Sequence, residues 1–276
     1  MGGMRLVVIV VLLAAVAAIF HAPAAAGVIT LTSGDSQAEL DPSSSAGVFN
    51  WQIGGVSHLS QQWFWFRASL DGFDDRERSL HLLDDSPVVF QHPAMPNIAR
   101  LTYSDDRLEV EVTYVLVSGT GLRTADLLEV VKITNLTGDK ITLNFFQYTD
   151  FDLGGDDEDD YVRITGGNTV FQQDIDGNVT LSETIVSRNP DRHEVGAAPD
   201  ILDKLEDDNV DDLSGPSVLA IAGDLTWAFQ WKDREIPAGQ ALLISKDKVL
   251  TSDPIAEPAA LCLIGLGLLA RPRRRN

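Results

Sequence analysis

Apolar and polar side chains alternate along much of the central part of this chain. In the run from 107 to 117, Leu108, Val110 and Val112 occupy alternate positions, and the residues between them include Glu109 and Glu111. Successive side chains of a β-strand point to opposite faces, whereas an amphipathic helix repeats every 3.6 residues. The pattern therefore predicts a strand with one buried face and one polar face, and it disfavours a helical fold.

The same alternation recurs at short intervals, separated by turn sequences, and only Pro199–Asp207 reads as a helix. Many short strands without alternating helices are typical of an antiparallel all-β fold. We predict one large antiparallel β-sandwich, with two packed sandwiches divided near 120 or 190 as the alternative. The predicted strands are 28–33, 47–53, 58–68, 86–91, 98–104, 107–117, 122–134, 141–145, 160–165, 169–175, 178–187, 216–222, 225–232 and 240–246.

Charge and cysteine content exclude several classes of protein. The chain has 41 acidic and 21 basic residues, a net charge of -20. Nucleic-acid binding requires clustered lysine and arginine, so it is disfavoured. The single cysteine, Cys262, excludes a disulfide scaffold.

The N-terminal segment has the three parts of a secretory signal peptide. A basic start is followed by the charge-free apolar run Leu6–Phe20 and by the small residues Ala24 and Ala26. At about 1.5 Å per residue, the apolar run is too short to cross a hydrocarbon core of roughly 30 Å. We therefore predict that residues 1–26 direct export and are removed.

The C-terminal segment, 257–276, combines a short apolar run with a basic end. Uncharged residues from Ala259 to Ala270 are followed by Arg271, Arg273, Arg274 and Arg275. Arginines that follow an apolar segment are typical of a stop-transfer sequence whose basic end stays in the cytoplasm. The segment is therefore predicted to form a short transmembrane helix, with the body, 27–256, outside.

This end resembles a PEP-CTERM sorting tail. The resemblance rests on Glu257, Pro258, the glycine-leucine run from 265 to 269 and the terminal arginines, and Ala256 stands where the motif has its first proline. Such tails are similar in arrangement across exported proteins of Gram-negative bacteria that produce exopolysaccharide, and a membrane transpeptidase called exosortase processes them. The resemblance implies transient anchoring in the inner membrane, then transfer to the cell surface or extracellular matrix.

Stretches of the body also resemble exported proteins with the same kind of tail. They are 145–155, 226–231 and 243–248. This resemblance implies a location and no activity. The sorting tail implies the export machinery and an exosortase-like transpeptidase as partners, and the acidity favours cation-bridged association with exopolysaccharide. Together these features favour a non-enzymatic surface or matrix protein.

An acidic loop follows one of the predicted strands. Several carboxylates close together suit Ca²⁺, which takes six to eight oxygen ligands in flexible geometry. A solvated loop is the competing interpretation, because charge runs are usually solvated. The candidate calcium ligands are Asp150, Asp152, Asp156, Asp157, Asp159 and Asp160, with Asp174, Asp176 and Asn178 as later contributors and a weaker acidic run from 206 to 212.

Aromatic residues are concentrated in the segment Trp63–Phe66. Exposed Trp63 and Trp65 rings could bind a polysaccharide in the manner of a lectin. Core packing is the favoured interpretation, because large aromatic side chains bury about 150 to 250 Å² each and four exposed rings would reduce solubility.

No sequence motif assigns an enzymatic reaction. The chain lacks the G-x-S-x-G, H-E-x-x-H and P-loop patterns. A secreted carbohydrate-active enzyme with a pair of carboxylates remains the alternative function, because such a pair is defined by its separation in space.

Overall fold

A computed structural model describes residues 27–252 apart from 71, 72, 74, 85, 122, 176, 177, 214, 216, 217 and 220–222. The predicted signal peptide and sorting tail lie outside the described residues, as does Asp176. In the described part, no helix has the length and apolar character needed to cross a membrane.

The described chain is built from strands, with one short α-helix. The helix α1 is Asp200–Glu206, close to its predicted bounds. The strands are β1 (Ile29–Ser33), β2 (Ser36–Asp41), β3 (Gly47–Ile53), β4 (Val56–Ser57), β5 (Gln61–Ala68), β6 (Arg78–Ser79), β7 (Val88–Gln91), β8 (Ile98–Ser104), β9 (Leu108–Ser118), β10 (Thr124–Asn135), β11 (Ile141–Asp150), β12 (Asp160–Thr165), β13 (Thr169–Asp174), β14 (Val179–Ser187), β15 (Arg192–Ala197), β16 (Val218–Leu219), β17 (Leu225–Ile236) and β18 (Ala241–Ser252).

These strands form two sheets, which confirms the prediction of a β-sandwich. Sheet 1 has the order β1-β2-β3-β5-β11-β17-β15, with β4 beside β3 and β6 beside β5. Sheet 2 has the order β16-β12-β13-β14-β18-β10-β9-β8-β7. Neighbouring strands are antiparallel, except for a short parallel contact in which Gly47 and Val48 of β3 pair with Gln62 of β5.

One hydrophobic core lies between the sheets. The same cluster of buried residues includes Leu31 of sheet 1, Leu127 and Leu250 of sheet 2, and Leu205 of α1. Residues on both sides of positions 120 and 190 therefore share this core. A small separate cluster is formed by Ile98 of β8 and Val115 of β9, with Met95 and Leu128 packed against them.

Candidate functional site

Three aspartates meet at one end of sheet 1. Asp150 is the last residue of β11, where it pairs with Gln61 of β5 and Thr226 of β17. Asp152 follows two residues later, and Asp224 directly precedes β17. The pairing of β11 with β17 therefore brings Asp224 beside two residues that are distant from it in sequence.

The carboxylates of Asp150, Asp152 and Asp224, which we call the aspartate cluster, are close enough to share one ion. One oxygen from each lies within 4.8 Å of the others, and all three residues are half-buried. Ser60 Oγ donates to Asp152 Oδ2, and the Tyr148 hydroxyl donates to Asp150 Oδ2 at 3.4 Å. Asp150 Oδ1 is buried and has no hydrogen-bond partner in the described part of the chain.

The pKa of each carboxyl group in the cluster is raised, mainly by burial. Burial, followed by the negative charges of Asp152 and Asp224, raises the pKa of Asp150 to about 7. Burial also raises the pKa of Asp152 and of Asp224, and neighbouring carboxylates add to both shifts. Among the described residues, no lysine or arginine pairs with these carboxylates. The described side chains therefore supply no cation that would compensate the charge of the cluster.

Sheet 2 contributes two more aspartates near this end. Asp160 of β12 and Asp174 of β13 pair directly, and each is 2% exposed. Gln172 Nε2 donates to Asp160 Oδ2 at 2.5 Å and to the Phe151 carbonyl oxygen at 2.7 Å. Burial raises the pKa of Asp160 to about 7, with smaller contributions from Asp174 and Asp152. Gln172 therefore connects this pair to the backbone between Asp150 and Asp152.

Contacts within the fold hold the loop between Asp152 and Asp160. The Gly154 N–H donates to Nδ1 of the buried His58 at 3.1 Å. Gly154 has a φ of 84°, and a Cβ atom there would lie 2.6 Å from Asp174 Oδ2. The left-handed conformation favours glycine at this position, and a side chain here would displace the Asp174 carboxylate.

The structure divides the six predicted calcium ligands into separate groups. Asp150 and Asp152 belong to the cluster, whereas Asp156 and Asp157 are exposed on the loop. Asp159 is half-buried, and Asp160 lies on sheet 2 outside the set of converging oxygens. Asp224 was not predicted, because a single aspartate before a strand carries no signal in the sequence.

The second acidic run gives a paired aspartate for comparison. Asp212 accepts hydrogen bonds from Lys232, from Gln230 at 2.6 Å and from Arg67 at 3.0 Å. Burial opposes its ionisation, but these bonds and the charge of Lys232 lower the pKa of Asp212 to about 2. This aspartate is neutralised by the protein, in contrast to the aspartate cluster.

Trp63 and Trp65 lie in the core. Trp63 is 0% exposed and its ring contacts Tyr103 edge-on, with a centroid distance of 6.0 Å. Trp65 is 1% exposed and meets the ring of Tyr148 at 6.2 Å. Neither ring presents a face to solvent, so the lectin-like interpretation of this strand fails and core packing accounts for its aromatic residues.

The donor set of the aspartate cluster fits a hard divalent cation. Ca²⁺ prefers carboxylate oxygens and accepts irregular geometry, and the cluster supplies three carboxylates with an unused buried oxygen on Asp150. Water molecules would have to complete a coordination number of six to eight. The arrangement can therefore bind Ca²⁺ or, without a metal, can hold a proton that is shared among neighbouring carboxylates.

No protein family model and no curated protein sequence matches the chain. Solved structures share its fold. A bacterial glucoamylase complexed with acarbose aligns with 90% of this chain at a TM-score of 0.53 and 12% identity. A polysaccharide lyase aligns with 80% at 0.52 and 11% identity. A galactose mutarotase-like protein from Lactobacillus casei aligns with 81% at 0.51 and 10% identity.

These alignments show only that the chain shares a β-sandwich architecture with the three proteins. The chain spans 35% of the glucoamylase, 33% of the polysaccharide lyase and 100% of the mutarotase-like protein. The shared feature is a β-sandwich that occurs in proteins named for carbohydrates. Identities of this size show the fold and leave the activity to be inferred from the residues of this chain.

Proposed function

We propose that this chain is an exported, non-enzymatic protein of the cell surface or extracellular matrix that associates with exopolysaccharide and binds Ca²⁺ at the aspartate cluster. The signal-peptide pattern and the PEP-CTERM-like tail support the location. The carbohydrate-related names of the proteins that share the fold support the association. The net charge of -20 favours association with anionic polysaccharide through bridging cations.

The convergence of three carboxylates is the observation that carries the proposal. Two negative charges no more than 4.8 Å apart repel by at least about 3 kcal/mol at an effective dielectric constant of about 20. A divalent cation between them replaces this repulsion by attraction, and it satisfies the unpartnered oxygen of Asp150. Binding would join β11, the loop after it and β17 at one point.

A carbohydrate-active enzyme is the second candidate, and the pKa of Asp150 is the observation that favours it. A carboxyl group with a pKa of about 7 beside an ionised carboxylate is a suitable general acid at neutral pH. Asp150 and Asp152 would then act as acid and base on a glycosidic substrate. Ca²⁺ binding at these residues would exclude this role, because a metal ligand cannot deliver a proton.

One expression experiment tests location and association together. The complete chain, with an epitope tag after Asn276, is produced in an exopolysaccharide-forming Gram-negative bacterium that has an exosortase. We expect the body in the matrix fraction without the tag, because the tail is removed during sorting, and we expect EDTA to release it. Immunoblotting of each fraction with antibodies against the body and the tag measures both results.

Asp224→Asn and Asp139→Asn form a matched pair of variants for this experiment. Asp139 is exposed in the turn before β11, at the end of that strand opposite to Asp150, and the strand is about 30 Å long. Asp224→Asn should reduce the amount of protein that Ca²⁺ retains in the matrix fraction, and Asp139→Asn should leave that amount unchanged. If the tag persists on the surface protein, the proposed removal of the C-terminal tail is contradicted. If the matrix retains as much protein in EDTA as in Ca²⁺, the bridging role of the metal is contradicted.

A further inference from the structure

A groove with a volume of about 560 Å³ lies between β6, the 3₁₀ turn Leu80–Leu82 and α1. Its size is within the range of about 300 to 1,000 Å³ that is usual for small-molecule sites. None of the three residues of the aspartate cluster lines it. The groove is therefore a separate candidate binding site.

Two hydrogen bonds connect a side chain in this groove, the half-buried His81, to the core. Trp63 Nε1–H donates to Ser79 Oγ at 3.1 Å, and Ser79 Oγ lies 2.8 Å from His81 Nδ1. Ser79 Oγ accepts the indole hydrogen and can donate its own hydrogen to His81 Nδ1, the arrangement that we take for the proposal below. The neutral imidazole then carries its proton on Nε2, and this N–H is available to a ligand.

The electrostatic environment favours the neutral imidazole. Burial lowers the pKa of His81, and the charge of Arg78 lowers it further, while Asp41 opposes the shift. Ser79 is 6% exposed and Trp63 is 0% exposed, so the groups that orient the ring are part of the rigid core. A donor of fixed tautomer on a rigid support is the arrangement expected of a binding residue.

The other groups around the groove combine hydrogen-bond donors with acceptors. Arg76 and Arg78 supply guanidinium N–H groups, and Glu206 and Asp207 supply carboxylate oxygens at an exposed rim. Arg76 pairs with Asp208, and Arg78 donates to the Leu82 carbonyl oxygen.

An anionic ligand is disfavoured in this groove. Arg76 is already paired with Asp208, and the exposed carboxylates Glu206 and Asp207 on the rim would repel a negative charge, while each guanidinium keeps further N–H groups. A neutral polyhydroxylated ligand can use the donors and the acceptors together, because each hydroxyl group both donates and accepts.

We propose that this groove binds a neutral hexose unit of a polysaccharide, with His81 Nε2–H donating to a sugar hydroxyl. The inference rests on the proposed association with polysaccharide and adds a contact that needs no metal ion. It predicts binding in EDTA, so the groove and the aspartate cluster can succeed or fail independently.

Long-range ¹H–¹⁵N NMR of histidine side chains tests the proposal on the exported protein in EDTA. The probes are neutral di- and trisaccharides of glucose, galactose and mannose, each at a concentration about tenfold above a millimolar Kd. We expect His81 to show an unprotonated Nδ1 in the free protein. At least one probe should shift its ¹⁵N resonances while those of His92, which does not line the groove, stay constant.

Substitutions separate binding from structural damage. His81→Ala should weaken the affinity for that sugar about tenfold, the loss expected for one well-oriented hydrogen bond. His92→Ala, the control, should leave it unchanged, and thermal unfolding verifies that both variants are folded. No shift with any probe, or equal losses in the two variants, would overturn the groove proposal. If the groove binds sugar but Ca²⁺ does not retain the protein in the matrix, only the metal-dependent part of the proposed function is overturned.

Discussion

Replacing Lys248 by methionine is expected to lower the free energy of unfolding by about 3 to 5 kcal/mol, because it leaves buried carboxylates without their cation. The side chains of Lys246, Lys248, Glu129 and Glu183 are all 0% exposed. Lys248 Nζ pairs with Glu129 Oε1 and lies 3.5 Å from Glu183 Oε2. Lys246 Nζ lies 2.5 Å from Glu129 Oε2, so the group contains two charges of each sign.

This buried ion network lies between the two sheets. Glu129 of β10 pairs with Lys246 of β18, and Glu183 of β14 pairs with Lys248. The opposite sheet supplies Gln147, which accepts from Lys246 Nζ at 2.6 Å and donates to Glu183. Burial lowers the pKa of Lys246 to about 8, even though Glu129 opposes the shift. The network is therefore stable only while its charges remain balanced.

Urea denaturation measures the effect of Lys248→Met. Lys132→Met is the control, because Lys132 is exposed on β10, and it should change stability by less than about 0.5 kcal/mol. The double variant Lys248→Met/Glu183→Gln removes one charge of each sign and should recover part of the loss. A loss below about 1 kcal/mol in the single variant would contradict the importance of charge balance.

Replacing Asp150 by asparagine is expected to change stability in opposite directions with and without Ca²⁺. In EDTA the folded protein holds a proton on Asp150 up to a pKa of about 7, whereas the unfolded chain loses it near pH 3.9. The wild type therefore loses stability between these pH values as pH rises. Asparagine does not titrate, so the variant should equal the wild type near pH 4 and exceed it at about pH 8.

Saturating Ca²⁺ should reverse this order. At pH 8 a pKa shift of about three units costs the wild type about 4 kcal/mol. Its gain from Ca²⁺ exceeds this cost once free Ca²⁺ is more than about a thousandfold above its Kd, where the gain is about 4.1 kcal/mol, and the variant gains less because it lacks a ligand. Thermal unfolding at each pH, in EDTA and in Ca²⁺, measures whether the order of stability of the wild type and the variant reverses. The control, Asp139→Asn, should show no such reversal. A variant that is less stable than the wild type in EDTA at high pH would contradict the mutual repulsion of the cluster.

Period-two alternation predicted the strands whose inner faces are apolar. The predicted strand 107–117 corresponds to β9, Leu108–Ser118. The strand β2 was not predicted, because its buried face begins with Ser36 and Ala38, which give little apolar signal. The strand β18 continues past the predicted end at 246, because Lys246 and Lys248 occupy inner positions where the pattern expects apolar residues.

The candidate site could be predicted only in part. Asp150 and Asp152 belong to a visible acidic run, but exposed Asp156 and Asp157 in the same run do not join them. Asp224 joins the cluster through the pairing of β11 with β17, a contact between distant segments. Local composition does not show where a side chain points or which strands pair. It therefore indicated the acidic loop but not the three carboxylates that converge.

Calorimetric titration of the exported protein with Ca²⁺ tests the central claim most directly. We expect a single Ca²⁺ per chain, with the affinity reduced at least about tenfold, or about 1.4 kcal/mol, by Asp150→Asn, Asp152→Asn or Asp224→Asn. Asp139→Asn should bind as the wild type does. Absence of binding, or binding that all three substitutions leave unchanged, would show that these carboxylates do not form a calcium site.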